Sequence, residues 1–407
     1  MAHVLLTFLG RVPKEQGGYR ATVYDFGDGR PEAPTAFFGW PLQRRLQPDK
    51  LVILGTAGSM WEHLFEGDLV FGDAEQEARD ALYEAVDQQQ VTPSHLAPLA
   101  PLLSDRLDSD VVLELIPYCR DAAEQVQLLE IMAAHVCEGD RVDLDVTHGF
   151  RHLPMVALLS ALQLQTLRRA EVAGIWYGTY DPDTKEAPVY NLSGLLQIAD
   201  WLQALHTYDK DGDYSVFADL IEPTSGTLAQ YLHRAAFQER INNIGQARGP
   251  LTKFRQALDA TAQGPLLQLF TEELRQRTAW VKTSSLAERQ YELAMHFLDY
   301  GDYLRAVILG FESLLTYLVQ KAPDQLDPMN HDHRDRVKSQ WDETMRKPRQ
   351  QRSATDQAYL NLRELRNVLA HGSRSKFAEI QDAISSEEKL RSALDKAIQL
   401  AHQGAKR

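Results

Sequence analysis

Two cysteines, Cys119 and Cys137, are all that the 407 residues contain. They form no C-x-x-C pair and have no metal-ligand spacing, which excludes a disulfide framework and a thiolate zinc site and fits a reducing cytosol. Neither G-x-G-x-x-G nor the Walker pattern G-x-x-x-x-G-K-[ST] occurs, so a nicotinamide or ATP-hydrolysing reading is disfavoured. Long hydrophobic runs are lacking too. The longest, around Leu153 to Leu164, is interrupted by Ser160 and Gln163 and is too short to span a bilayer. The apolar start, His3 to Leu9, is too short for a signal-peptide core and no cleavage site follows, so a cytoplasmic protein is expected. Positive charge is in deficit: 43 Lys and Arg against 57 Asp and Glu give a net charge of −14. So acidic a chain does not coat nucleic acid through its overall field, and any such contact needs a local basic patch. Internal repeats and low-complexity tracts are absent.

What is present is an ordinary globular composition, 44% hydrophobic and 25% charged, at a length that calls for two or three domains. In the first half short apolar runs alternate with helical patterns. His3–Leu9, Leu51–Leu54, Val111–Ile116, Val142–Val146 and Val172–Trp176 read as buried strands. Ala74–Gln88, Asp121–Val136 and Leu153–Arg169 read as the helices between them. That alternation predicts a mostly parallel, doubly wound α/β sheet of Rossmann-like type. Tyr19–Phe26 and Thr35–Trp40, separated by Gly27-Asp28-Gly29, read as an inserted hairpin.

Beyond about Leu192 strand signals stop and every segment carries helical spacing. The expected organisation is an α/β domain over 1–206 and an all-α domain over 207–407, with a turn-rich break near Thr207–Ser215. Arg334–Gln357, with basic clusters at Arg346-Lys347-Pro348-Arg349 and Arg352, reads as a charged loop, for which a solvated surface is the better reading and an RNA guide the alternative.

Ligands of parallel sheets bind outside the carboxyl ends of the strands. Three such ends carry unusual residues: Gly10-Arg11, then Gly55-Thr56-Ala57-Gly58-Ser59, then Thr147-His148-Gly149-Phe150-Arg151 before a helix. Glycines admit close backbone approach, helix amides attract phosphate, and Arg11 and Arg151 can neutralise anionic oxygens. Thr56, Ser59, Thr147 and His148 offer side-chain hydrogen bonds. Each loop alone also reads as a tight turn. Together the three point to a nucleotide-like anion.

The second informative stretch is Leu362 to Gly372. Leu362, Leu365 and Leu369 give it an apolar face, and Gly372 is a natural helix end. His371 then lies in the last turn, where the helix dipole favours its protonated form. Arg366 lies five residues earlier, about 140° around the axis, with Asn367 beside it and Arg374 and Lys376 following. A histidine that moves protons and an arginine that stabilises a phosphorane-like transition state suit the cutting of RNA. The bare spacing is expected about once by chance in a chain of this composition.

Two motifs carry a resemblance across essentially the whole chain. Asp145-Val-Thr147-His148-Gly149 resembles the Asp-x-Thr-His-Gly motif of CRISPR-associated proteins of the Csx and Csm type. Arg366-Asn367-x-x-x-His371 resembles the R-x4-6-H signature of HEPN ribonucleases. The chain therefore resembles a CARF domain (a CRISPR-associated Rossmann fold) followed by a HEPN domain with its core at about 286–407. The resemblance implies a homodimer of type III CRISPR defence, activated by a cyclic oligoadenylate to cut single-stranded RNA without a metal or other cofactor, leaving 2′,3′-cyclic phosphate ends. It implies Arg366 and His371 as catalytic with Asn367 in support, and Thr147, His148 and Gly149 at the ring site. Gly10, Arg11, Gly55, Thr56, Ser59 and Arg151 join that site from strand-end placement alone. Glu312, on the helix expected to pack near Arg366, is a candidate to orient that arginine or to form a structural ion pair instead. Two alternatives stand beside the nuclease: a sensor whose helical half binds RNA or a protein partner without cutting, and a protein that degrades its own cyclic ligand.

Overall fold

The computed structural model describes every residue except 16, 17, 31, 67, 68, 261–263, 345–347 and 407. The chain divides into two compact units, Met1–Ile198 and Ala199–Arg407. The division falls inside a helix, Gly194–Asp211, so the charged stretch from Asp209 is helical through Asp211 rather than a turn. Arg346 and Lys347 lie outside the described residues.

In the first unit the strands are β1 His3–Leu9, β2 Lys14–Glu15, β3 Gly18–Tyr19, β4 Lys50–Gly55, β5 Asp110–Leu115, β6 Arg141–Asp145, β7 Glu171–Gly178 and β8 Val189–Asn191. Six of them form one sheet in the order β5-β4-β1-β6-β7-β8. All neighbours run parallel except β8, which closes the β7 edge antiparallel. Because side chains alternate across a strand, β1 sends Val4, Leu6 and Phe8 to one face and Leu5 and Leu9 to the other. Both sets are buried, in two separate cores. One core packs beneath the helices Ala122–Ala134 and Leu153–Arg168; the other gathers Phe37, Phe38, Trp40 and Trp61.

The five expected strands and three helices are all present, within two residues at each end. The expected hairpin is not. Among the described residues one bridge, Thr22 to Thr35, joins its arms, and Gly39–Leu46 is a helix whose Trp40 is buried. The second arm, rich in Phe and Trp, is recruited into the core rather than into a ladder.

In the second unit the helices Leu286–Asp299, Tyr303–Lys321, Ala354–His371 and Glu387–Lys406 pack on one another. Gly310 permits the second and fourth to approach closely, since a methyl there would come within 2.7 Å of Ile398. The charged stretch expected as a loop, Arg334–Gln357, takes in most of a helix, His331–Thr344, and the first residues of Ala354–His371.

Candidate functional site

From β1 the chain steps outward to β4 and β5, then crosses back to β6 on the other side of β1. The carboxyl ends of β1 and β6 therefore flank a topological switch point, the place where open α/β sheets bind ligands. The two strands are held in register there by a buried polar pair. Thr7 and Asp145 lie opposite one another, and the Thr7 hydroxyl donates to Asp145 Oδ2 at 2.6 Å. Burial raises the Asp145 carboxyl to about 6, opposed by the bonds from Thr7 and Thr147. The Thr147 amide donates to Asp145 Oδ1 at 2.8 Å, which bends the chain out of β6 into the turn.

The turn then meets the end of β1 backbone to backbone. A Cβ on Gly10 would come within 2.4 Å of the Gly149 nitrogen, and Gly149 itself has φ +103°. Both glycines are required by this approach. Gly10 is buried, whereas Gly149 is exposed at the surface of the crevice.

Several of the residues expected at the ligand site are hydrogen-bonded within the protein. His148 is buried, and its Nε2 accepts the Phe38 amide at 3.0 Å. The ring is thereby fixed as the neutral tautomer with its proton on Nδ1. Burial, with His63 nearby, lowers its pKa to about 4. Ser59 is buried; its hydroxyl donates to the Leu9 carbonyl at 2.5 Å and accepts the Thr56 amide at 3.0 Å. Thr56 is buried as well, and its carbonyl takes the Trp61 indole N–H at 2.8 Å. A methyl on Gly55 would strike that same indole at 2.5 Å. The loop after β4 is thus sealed onto the end of β1, which a Met60 amide to Gly10 carbonyl bond of 3.0 Å completes. Thr147 is half-buried, and its hydroxyl oxygen accepts the Gly178 amide at 2.8 Å.

What remains open at this edge is Arg11, Gly149, Phe150 and Arg151, all exposed, with Gly58 half-exposed. Arg11 is also hydrogen-bonded to the Tyr19 phenol. Sequence reading missed an aromatic row. Tyr118, after β5, lies 5.7 Å from Phe150, which stacks on His152 at 5.7 Å and 18°. The His152 Nε2 and the Tyr118 carbonyl are 3.0 Å apart. Such rings offer flat faces to nucleobases. Phe150 was legible in its motif; Tyr118 and His152 converge on it only in three dimensions.

The second candidate site lies on the helix Ala354–His371. Ser353 caps it, Asp356 completes the capping box, and Gly372 ends it in the left-handed conformation with φ +59°. Leu362, Leu365 and Val368 are the buried face; Leu369, expected there, is only partly buried. His371 is exposed in the last turn, and Arg366 and Asn367 are half-buried. Among the described residues no carboxylate pairs with Arg366, whose guanidinium carbon lies 4.8 Å above the Phe311 ring. Glu312, one candidate to orient that arginine, is ion-paired with Arg334. Arg334 also donates to the Thr316 hydroxyl at 3.2 Å and to the Pro328 carbonyl at 2.9 Å, so this pair is structural. An aromatic face, not a carboxylate, supports Arg366.

Among the described residues no cluster of three His, Cys, Asp or Glu is placed to hold a metal ion, and no helix is long and apolar enough to cross a membrane.

The family match among known proteins falls in the first unit. Residues 4–182 match the family model of the CRISPR system endoribonuclease Csx1, CARF domain. The chain is similar to the CRISPR-associated protein MJ1674 of Methanocaldococcus jannaschii, 23% identical over 275 residues. That match takes in 63% of this chain and 43% of the relative, so the chain spans under half of the relative's length. Among solved structures, Enterococcus italicus Csm6 bound to cyclic hexa-2′-fluoro-hexa-dAMP matches 99% of this chain and 94% of its own, at 11% identity and a TM-score of 0.40.

Proposed function

We propose a function from one premise, that residues 4–182 are a CARF domain of the Csx1 type in a CRISPR-associated protein. On that premise the α/β half, about residues 1–206, senses a cyclic oligoadenylate of type III CRISPR defence. The helical half, 207–407, is a HEPN ribonuclease that cuts single-stranded RNA when the ring is bound. The observation that carries the nuclease reading is Arg366, which has no carboxylate partner among the described residues, on the same helix as an exposed His371.

The chemistry follows from those groups. A histidine ring takes the proton of a 2′-hydroxyl, the 2′-oxygen attacks phosphorus, and the bond to the 5′-oxygen breaks as that oxygen is protonated. The products are a 2′,3′-cyclic phosphate and a 5′-hydroxyl. Arg366 holds the extra negative charge that develops on the phosphoryl oxygens. One imidazole cannot be base and acid in the same step, so two copies, each giving an arginine and a histidine, make the complete site. A homodimer also suits a ring with two-fold symmetry, which favours an isologous interface. The helix after the His148 turn has apolar side chains to bury there: Met155, Leu159 and Leu167 are 71%, 59% and 69% exposed.

At the switch point the reading assigns adenine stacking to Phe150 and Tyr118, phosphate contact to Arg11 and Arg151, and close backbone approach to Gly149. Arg11, Gly149 and Arg151 keep their expected roles, while Gly10, Gly55, Thr56, Ser59 and His148 support the crevice from behind. The buried, already bonded His148 weighs against the alternative in which it turns over the ring. Calorimetric titration with cyclic tri-, tetra- and hexa-adenylate tests the assignment. One ring is expected to bind, about tenfold more weakly to Phe150→Ala. Binding of no ring would overturn the sensor reading.

A further inference from the structure

A cavity of about 540 Å³ opens in the second unit beside the helix that carries Arg366 and His371. That is ample for a nucleotide-sized ligand. Its floor is the stripe Gln357, Leu360, Asn361 and Glu364 of that helix, and Lys376 and Phe377 stand on the opposite wall. Residues 357, 361, 364 and 371 recur at helical spacing and share one face. The stripe therefore runs straight toward His371, with Asn361 about 15 Å from it along the axis. A strand of RNA lying on the helix end would reach the cavity within a few nucleotides of the cut.

The lining suits a base more than a phosphate. Of the two arginines that line it, Arg363 is already bound to Asp342 at 2.6 Å and to Glu364 at 3.1 Å, and Arg352 is engaged as well. Gln357 Nε2 donates to Asn361 Oδ1 at 2.9 Å. That leaves the Asn361 amide hydrogens and the Gln357 carbonyl oxygen as an adjacent donor and acceptor in a half-buried setting. Phe377 is 43% exposed at the wall and gives a stacking face, with the Lys376 ammonium 5.3 Å from its centre. Lys376 and Arg374, both exposed, are placed to meet the neighbouring phosphates.

We infer that this cavity is a base-reading subsite for single-stranded RNA. Asn361 and Gln357 would pair with a base that presents an amino group beside a ring-nitrogen acceptor, the pattern shared by adenine and cytosine, while Phe377 stacks on it. The inference rests on RNA being the substrate of this helix end, as proposed above, but it is tested separately from cleavage.

The test is equilibrium binding of fluorescent oligoadenylate, oligocytidylate and oligouridylate strands to the full-length His371→Ala protein. Oligoadenylate or oligocytidylate should bind about tenfold more tightly than oligouridylate, the gap of one bidentate base contact. Asn361→Ala should erase that gap while leaving oligouridylate binding unchanged, and Phe377→Ala should weaken all three strands alike. Equal affinity for the three strands, a gap that survives Asn361→Ala, or no binding at all would overturn the subsite. Failure of the wild-type protein to cut RNA, with the base gap intact, would sink the nuclease reading and leave the subsite standing.

Discussion

The two candidate sites use their signature residues in opposite ways. At the switch point of the first unit the motif is largely inside the protein. His148 is locked to the Phe38 amide, Thr147 to Gly178, Asp145 to Thr7, and Gly10 touches Gly149 backbone to backbone. At the helix end of the second unit the signature residues are half-buried or exposed. His371 is exposed, and Arg366 rests on an aromatic ring with no carboxylate among the described residues. A motif at a strand end acts first by shaping backbone, and the ligand is then met by its neighbours. A motif on a helix face acts through the side chains themselves. Substitutions should therefore separate the sites: folding suffers at the first, chemistry at the second.

The largest expected effect is on chemistry. Arg366→Ala removes a preorganised charge from the transition state and should lower RNA cleavage by about a hundredfold or more. Its thermal midpoint should stay close to wild type, because no ion pair is lost. A large fall in that midpoint would show that Arg366 is structural, like Arg334.

Next comes Gly10→Ala, whose methyl would collide with the Gly149 nitrogen at 2.4 Å. Forcing the two loops apart should destabilise the first unit by about 1–3 kcal/mol, read as a lower denaturation midpoint. The same substitution at Gly149, with φ +103° and Leu153 at 2.8 Å, should behave alike. Unchanged stability in both would contradict the backbone contact.

The smallest effect is a titration. The His148 pKa lies near 4, below the ordinary 6.5, so its share of stability is present above about pH 6.5 and is lost as pH falls through 4. Asp145 works in the other sense. Its carboxyl is raised to about 6 from 3.8, so its contribution is full below 3.8 and lost as pH rises through 6. Between those limits the two oppose one another, and a pH–stability curve should be shallow there. Imidazole resonances should show His148 neutral down to about pH 4; titration near 6.5 would break the distinction between the buried and the exposed histidine.

Sequence patterning located the α/β strands because the central ones, β1 and β4, are apolar runs buried on both faces, a signal that depends on no partner, and the outer ones keep the same Val and Leu enrichment. It failed at Thr35–Trp40, where aromatic residues that suit a strand serve a core helix and loop instead. It failed at His331–Thr344 because charge density resembles a loop when the buried face is as thin as Val337. The candidate residues were found by type, but type does not say which way a side chain faces. Ser59 and His148 look like ligand contacts in a list of strand ends; only packing shows that Leu9 and Phe38 claim them first. Tyr118, Phe150 and His152 come from two different loops, so no spacing reveals their row. The partner of Glu312 was equally hidden, since Arg334 lies on a different helix.

The central claim is that ring binding by the first unit releases cutting by the second. It is tested most directly by following cleavage of a fluorogenic RNA by the purified protein in EDTA, with cyclic tri-, tetra- and hexa-adenylate added separately. The account predicts cleavage with one ring only, lost by about a hundredfold or more in His371→Ala while that variant still binds the ring. Cutting by His371→Ala at the wild-type rate, or no cutting with any ring, would contradict it.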